Sequence, residues 1–157
     1  MSTRRRYWLM KSEPDAFSID DLQRVGVEPW NGVRNYQARN FMRDQMRVGD
    51  RAFFYHSNCD EPGIVGIVEV CGTAHADETQ FDRRSKYYDP EAKRDAPRWV
   101  NVEVKFVKKT PLVALDELRR HKPLAGLRIL QRGNRLSITP VDPGVWEYIV
   151  KLTGRAP

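Results

Sequence analysis

The sequence is poor in the residues that build metal sites and disulfides, and it has no long apolar run. Its 157 residues contain only two cysteines, Cys59 and Cys71, and no C-x-x-C pair. A structural zinc site needs about four ligands, so we expect no bound metal. Two unpaired thiols are typical of a reducing, intracellular compartment. No stretch approaches the roughly 20 apolar residues of a membrane span, and no apolar segment follows the charged N-terminus, so we expect neither membrane insertion nor export.

The motifs of several enzyme classes are also missing. There is no Walker loop, no G-x-G-x-x-G, no H-E-x-x-H, and no G-x-S-x-G around any serine. His56 is followed by Ser57, but adjacency in sequence does not make a nucleophile–base pair. The sequence therefore requires neither catalysis nor a cofactor, and a hydrolase that uses His56 is kept as an alternative.

What the sequence has in quantity is positive charge and aromatic rings. It contains 27 Lys and Arg against 21 Asp and Glu, which gives a net charge of +6, and it has four Trp, six Tyr and six Phe. A basic balance favours polyanionic partners, and aromatic rings serve either as core or as stacking surfaces. A protein with a merely basic surface has the same composition, so the charge alone does not identify a partner.

Periodicity and capping signals predict one α+β domain. Short apolar or alternating runs predict strands over 7–10, 52–55, 64–70, 100–106 and 136–138. Capping residues and helical spacing predict helices after Ser18, Asn35 and Asp142 and two more within 112–130. Residues 82–97 are polar and contain two prolines, which is typical of a long loop. Because a tight turn joins the two middle strands, we predict a curved or barrel-like antiparallel sheet.

The most informative string is Trp30–Asn40, which places an indole, amide side chains and arginines on a turn that leads into a helix. Recognition of a single base needs an aromatic face for stacking, donors and acceptors for the base edge, and a cation for the phosphate. The alternative is an ordinary capped helix with Trp30 in the core. Residue types alone leave both interpretations open.

Three further clusters allow the same two interpretations. Tyr55–Asn58 is a polar group at the end of a strand, and residues 83–90 interleave basic and aromatic side chains, a pattern suited to a nucleic-acid strand. Residues 131–140 form a turn with two arginines that leads into a strand, which suits a phosphate clamp. Solvated loops and a hydrogen-bonded structural histidine are the alternatives.

Taken together, these strings resemble the EVE domain family. The matching strings follow one another in register and nearly without gaps from about Tyr7 to Leu152: Tyr7–Pro14, Trp30–Asn40, Tyr55–Asn58, Lys86–Pro90, Pro97–Trp99 and Arg135–Val141. The resemblance implies a PUA-like fold related to YTH domains, a strongly curved antiparallel β-barrel surrounded by short helices, over residues 7–153. Residues 1–6 are then a basic N-terminal tail and residues 154–157 a C-terminal tail.

The resemblance also implies a function and a set of site residues. The family is thought to read modified bases in DNA or RNA by accepting one base into a pocket. The pocket is expected to be lined by Ser12, Trp30, Asn35, Tyr55, His56, Ser57 and Ser137. Contacts to phosphates or to the base edge are expected from Arg34, Arg39, Lys86 and Arg135.

The sequence thus predicts a non-enzymatic binding module for DNA or RNA that carries a modified base, with no cofactor, metal or membrane partner. We expect a monomer. Because the sequence shows no long N-terminal extension like that of nuclear family members, we expect a bacterial, cytoplasmic protein, or a nuclear one if it is eukaryotic. The alternatives are an enzyme that modifies nucleotides or nucleic acid with His56, and a module for small ligands or protein interaction.

Overall fold

The computed structural model describes residues 5–131 and 136–154. Its strands are β1 (Tyr7–Ser12), β2 (Val27–Pro29), β3 (Arg51–His56), β4 (Gly63–Val70), β5 (His75–Ala76), β6 (Val100–Asn101), β7 (Glu103–Ala114) and β8 (Ile138–Val141). Its α-helices are α1 (Ile19–Val25), α2 (Tyr36–Asn40), α3 (Leu115–Arg119) and α4 (Pro143–Thr153). A π-helical turn, Phe41–Gln45, continues α2, and short 3-10 turns occupy Glu78–Phe81, Lys122–Leu124 and Arg128–Leu130. No helix in these ranges is both long and apolar enough to cross a membrane.

The predicted α+β class is confirmed, but the antiparallel barrel is wrong in two respects. The described strands form a mixed six-stranded sheet in the order β2-β7-β4-β3-β1-β8, beside a two-stranded sheet of β5 and β6. First, β1 and β3 are parallel, whereas the other pairs are antiparallel. Second, the sheet is open, because β2 and β8 lie at opposite edges. Both edge strands contain a proline, Pro29 and Pro140, and proline has no N–H to extend a ladder.

The predicted helix starts are confirmed by their caps. Ser18 and Asp21 form a reciprocal capping box at α1, Asn35 accepts from the amide of Ala38 at α2, and Asp142 accepts from Gly144 at α4. The helix predicted from Leu112 is shorter than expected, since β7 continues to Ala114. Local leucine spacing could not reveal that the ladder with β4 reaches this far.

Hydrophobic residues fill both faces of the sheet, so the strands alternate between two cores. On β3, Phe53 and Tyr55 belong to one cluster, with Trp146 of α4, while Ala52 and Phe54 belong to the other. Trp30 packs in the same cluster as Phe54. Because of this alternation, a residue's place along its strand decides whether it can face the cavity beside Trp30.

Candidate functional site

A cavity of about 860 Å³ opens beside the ends of β1 and β2 and the turn before α2. Its volume is in the range of ligand pockets, about 300–1,000 Å³. The residues that line it are Lys11, Ser12, Glu13, Ala16, Phe17, Glu28, Pro29, Trp30, Asn31, Gly32, Val33, Arg34, Asn35, Ser57, Lys86, Tyr87 and Ser137. The cavity therefore joins residues that are up to 126 positions apart in the sequence.

Most of the pocket residues expected from the sequence line this cavity, and some do not. Ser12, Trp30, Asn35, Ser57, Ser137, Arg34 and Lys86 form part of its wall. Tyr55, His56 and Arg39 are not in the wall. Arg135 lies outside the described residues.

Trp30 is at once a core residue and a wall of the cavity. Its side chain is 7% exposed, and its ring meets the ring of Phe54 edge to face with centroids 5.5 Å apart. The backbone amide of Trp30 donates to the carbonyl of Val102 at 2.8 Å, which fixes the residue just beyond β2. The indole is therefore held rigidly, and only a small part of it is available to a ligand.

Gly32 and Tyr87 meet on another part of the wall. A Cβ atom placed on Gly32 would lie 2.6–2.9 Å from the Tyr87 ring, and Gly32 has φ +86°, a left-handed conformation. Both observations require glycine at this position. Tyr87 comes from the long loop predicted over residues 82–97, so this loop closes one side of the cavity.

Arg34 holds that loop in place. Its guanidinium donates to the carbonyls of Val33 and Tyr87, to Oγ1 of Thr79 and to Oδ2 of Asp77, at 2.8–3.1 Å. These contacts use all five N–H donors of an arginine. Asp77 is fully buried. Arg34 therefore has no donor left for a phosphate while this arrangement is intact, and we do not retain it as a phosphate contact.

Asp77 organises the rest of this cluster. Its Oδ2 also accepts from the amide of Gly32 at 2.8 Å, and its Oδ1 accepts from the amide and the hydroxyl of Thr79. One buried carboxylate thus connects the turn before α2 to the loop that carries Tyr87. We call Arg34, Asp77 and Thr79 the Asp77 cluster.

Tyr55 and His56 lie elsewhere because of their positions on β3. Tyr55 is 2% exposed in the core beneath α4, and burial raises its pKa to about 12. His56 packs edge to face on Phe54, and its Nε2 accepts from the amide of Ile19 at 3.1 Å. Burial lowers the pKa of His56, which favours the neutral ring that this bond requires.

Arg39 lies on the outer side of α2. It donates to the carbonyl of Arg98 at 2.9 Å and to Oδ1 of Asn40 at 2.8 and 3.1 Å, and its guanidinium sits over the ring of Tyr36, 4.7 Å from the centroid. Burial lowers the pKa of Arg39, as does the neighbouring charge of Arg43. Tyr36 is 51% exposed and stacks on Trp99. This surface adjoins the cavity but is not part of it.

Three charged residues of the cavity wall, unlike those of the Asp77 cluster, form no ion pair with any of the described residues. Lys11 is half-buried, and burial lowers its pKa. Glu28 is half-buried, and burial raises its pKa. Lys86 is exposed, with its ammonium over the Tyr87 ring, 5.1 Å from the centroid. Their polar atoms are available to a ligand.

The sequence predictions missed Lys11, Glu28 and Tyr87 as wall residues. A signal for Glu28 was present, because side chains two positions apart on an extended strand share a face, and Glu28 precedes Trp30 by two. Three-residue strands such as β2 are too short to recognise from periodicity. Tyr87 lay within a noted basic and aromatic string, but only the fold shows its contact with Gly32.

Comparison with known proteins agrees with this architecture. The sequence model described as the EVE domain matches residues 6–152. Thymocyte nuclear protein 1 of Rattus norvegicus is 42% identical, covering 96% of this chain and 75% of the rat protein. A hypothetical protein from Leishmania major superposes with a TM-score of 0.92 at 44% identity, covering 96% of this chain and 95% of that one. Human THYN1 protein in complex with 5-methylcytosine-containing DNA superposes with a TM-score of 0.90 at 41% identity, covering 97% and 99%. The fold is therefore PUA-like, as in these neighbours, and the chain belongs to the EVE domain family.

Proposed function

We propose that this protein binds DNA and accepts one modified base, of the 5-methylcytosine type, in the cavity beside Trp30, without chemical change to the base. The observation that supports this most strongly is a cavity of about 860 Å³ with aromatic walls and unpaired polar groups. The human relative, 41% identical, binds DNA that contains 5-methylcytosine. Tests on RNA with the same base would define the range of the activity.

The walls supply what an extruded base requires. A base taken out of the duplex loses its stacking neighbours, and an aromatic wall replaces part of that contact. Trp30 and Tyr87 both contribute ring surface to the cavity. Ser57 and Ser137 add hydroxyl groups, while Ser12 donates to the carbonyl of Phe17 and Asn35 caps α2. Ser12 and Asn35 therefore shape the wall and have fewer atoms left to bind a base.

The phosphate contacts are assigned to cations that the fold leaves available. Lys86 is exposed at the cavity, and Lys11 is half-buried in its wall. Attraction to the DNA backbone is further favoured by the net charge of +6. Arg135 remains a predicted phosphate or base-edge contact, although it lies outside the described residues. Arg39 remains a predicted contact for DNA that extends to the outer side of α2.

Binding without catalysis fits the surroundings of His56. A general base needs its reacting proton within about 3 Å, yet His56 lies outside the cavity wall and uses Nε2 to accept a backbone amide. This geometry disfavours the enzyme that uses His56. The small-ligand alternative is decided by the experiment below.

The test compares two duplexes that differ only by the methyl group of a single cytosine, titrated at several salt concentrations. We expect tighter binding of the methylated duplex, and a log affinity that falls by about 0.9 per contacted phosphate for each decade of salt. Free 5-methyldeoxycytidine and unmodified duplex are the controls. Equal affinity for both duplexes would refute the proposal, and tight binding of the free nucleoside without any salt dependence would favour the small-ligand module.

A further inference from the structure

Glu28 and Glu13 are the two acidic residues that line the cavity, and of the two only Glu13 is bonded to another described residue, Asn58. Glu28 is half-buried on β2, faces the cavity, and has no hydrogen bond or ion pair with the described residues. Asp77, Asp50 and Asp89 each accept several hydrogen bonds within the fold. A partly desolvated carboxylate without a partner destabilises the folded protein, so its presence is best explained by a ligand.

We infer that the carboxylate of Glu28 reads position 4 on the Watson–Crick edge of the bound base and selects bases that carry an exocyclic amine there, as cytosine and its 5-substituted forms do. This rests on the proposed function, since it assigns the base edge within the same cavity. Its consequence is discrimination between 5-methylcytosine and thymine. The two bases share the methyl group and differ only at positions 3 and 4.

The chemistry follows from the donors and acceptors of each base. Cytosine presents an N4 amine donor and an N3 acceptor, and carboxylates accept from N4. The ionised carboxylate of Glu28 only accepts hydrogen bonds, so it matches the N4 amine. Thymine presents an O4 acceptor at the same position, so O4 would face the lone pairs of the carboxylate, which has no proton to donate.

The described residues around Glu28 leave its carboxylate without a cation or hydrogen bond, so it is available to a ligand. Burial raises the pKa of Glu28, and no neighbouring cation or hydrogen bond opposes that shift. The other charged groups of the cavity wall are Lys11, Glu13, Arg34 and Lys86. On β7, which pairs with β2, the nearest charged residues are Glu103 and Lys105. None of these forms an ion pair with Glu28; Lys105 instead pairs with Glu69 at 3.4 Å.

Glu28→Gln provides the decisive variant because an amide can turn. In one orientation it donates to N3 and accepts from N4, as for cytosine, and in the other it donates to O4 and accepts from N3–H, as for thymine. The variant is therefore expected to keep its affinity for 5-methylcytosine while it loses the discrimination against thymine. Glu13→Gln is the matched control: Glu13 lines the same cavity and carries the same charge, but it is exposed and bonded to Asn58.

The experiment measures affinity for duplexes with 5-methylcytosine, cytosine or thymine, each opposite an abasic site so that extrusion breaks no base pair. The parent and Glu13→Gln are expected to prefer 5-methylcytosine over thymine by about tenfold or more, and Glu28→Gln by about threefold or less. Glu28→Asp, which shortens the side chain, should weaken binding of 5-methylcytosine without improving that of thymine.

The outcomes separate this inference from the proposed function. If Glu28→Gln retains the parent ratio of 5-methylcytosine to thymine, Glu28 does not read the base edge, although the preference for 5-methylcytosine over cytosine stands. If the parent itself does not prefer 5-methylcytosine over cytosine, the proposed function fails first.

Discussion

The Asp77 cluster and the part of the cavity wall that carries Lys11 and Glu28 use polar side chains in contrasting ways. In the cluster, all five N–H donors of Arg34 bond to other parts of the fold, and the carboxylate of Asp77 accepts four hydrogen bonds. In that part of the wall, Lys11 and Glu28 are half-buried without a partner among the described residues. Buried polar groups are normally paired, so the first set explains how the cavity is built and the second what it binds.

The largest expected effect is loss of the Asp77 cluster. Asp77→Ala removes the buried partner of Arg34, whose side chain is 22% exposed, and should lower the free energy of unfolding by about 3–5 kcal/mol. Arg94→Ala breaks the exposed ion pair with Glu78 and should change the free energy of unfolding by about 1 kcal/mol or less. Urea denaturation of both variants checks this. Equal effects would mean that the cluster does not hold the loop.

A smaller effect is expected for the substitution of Lys86, which should weaken DNA binding without changing stability. Lys86→Ala should reduce the slope of log affinity against log salt by about 0.9, because one phosphate contact is lost. Lys108→Ala is the control, since it removes the same charge from an exposed position on β7, away from the cavity. Parallel salt titrations with methylated duplex give both slopes. Identical slopes for the two variants would remove Lys86 from the interface.

The smallest effect concerns stability and Glu28. A carboxyl group with a raised pKa in the folded state holds its proton more tightly there, so its contribution to stability is complete below the unfolded pKa and is lost as the pH rises through the folded pKa. Glu28→Gln cannot titrate and should be more stable than the parent at pH 7, with the difference shrinking toward pH 4. Thermal unfolding at the two pH values measures it. A variant less stable than the parent at pH 7 would show that Glu28 supports the fold.

The sequence predicted the α+β class, the caps of three helices and many residues of the cavity wall. It succeeded at Ser18, Asn35 and Asp142 because capping is a local interaction. The predicted barrel was wrong. Closure of the sheet depends on whether its edge strands β2 and β8 pair with each other, and no local sequence pattern indicates this long-range pairing.

The differences between the expected pocket residues and those that line the cavity have a similar cause. Tyr55 was expected in the pocket by its place in a motif, yet strand alternation places it with Phe53 in the core beneath α4. The resemblance implied that Arg34 contacts a phosphate or the base edge, but its partners Thr79, Asp77 and Tyr87 lie more than 40 residues away in the sequence and could not be foreseen. A residue type reveals what a side chain can do, while only the fold shows which of its atoms are already used.

The most direct test of base entry into the cavity uses the four tryptophan indole N–H signals in a nitrogen–proton NMR spectrum. Trp8 donates to Asp50, and Trp146 of α4 packs on Phe53 in the core, so these two serve as internal controls. Trp30 alone of the four lines the cavity. Addition of the duplex with 5-methylcytosine should move the Trp30 signal much further than the unmethylated duplex does, with little change at Trp8 and Trp146. A Trp30 signal that stays fixed while the methylated duplex is bound would contradict entry of the base beside Trp30.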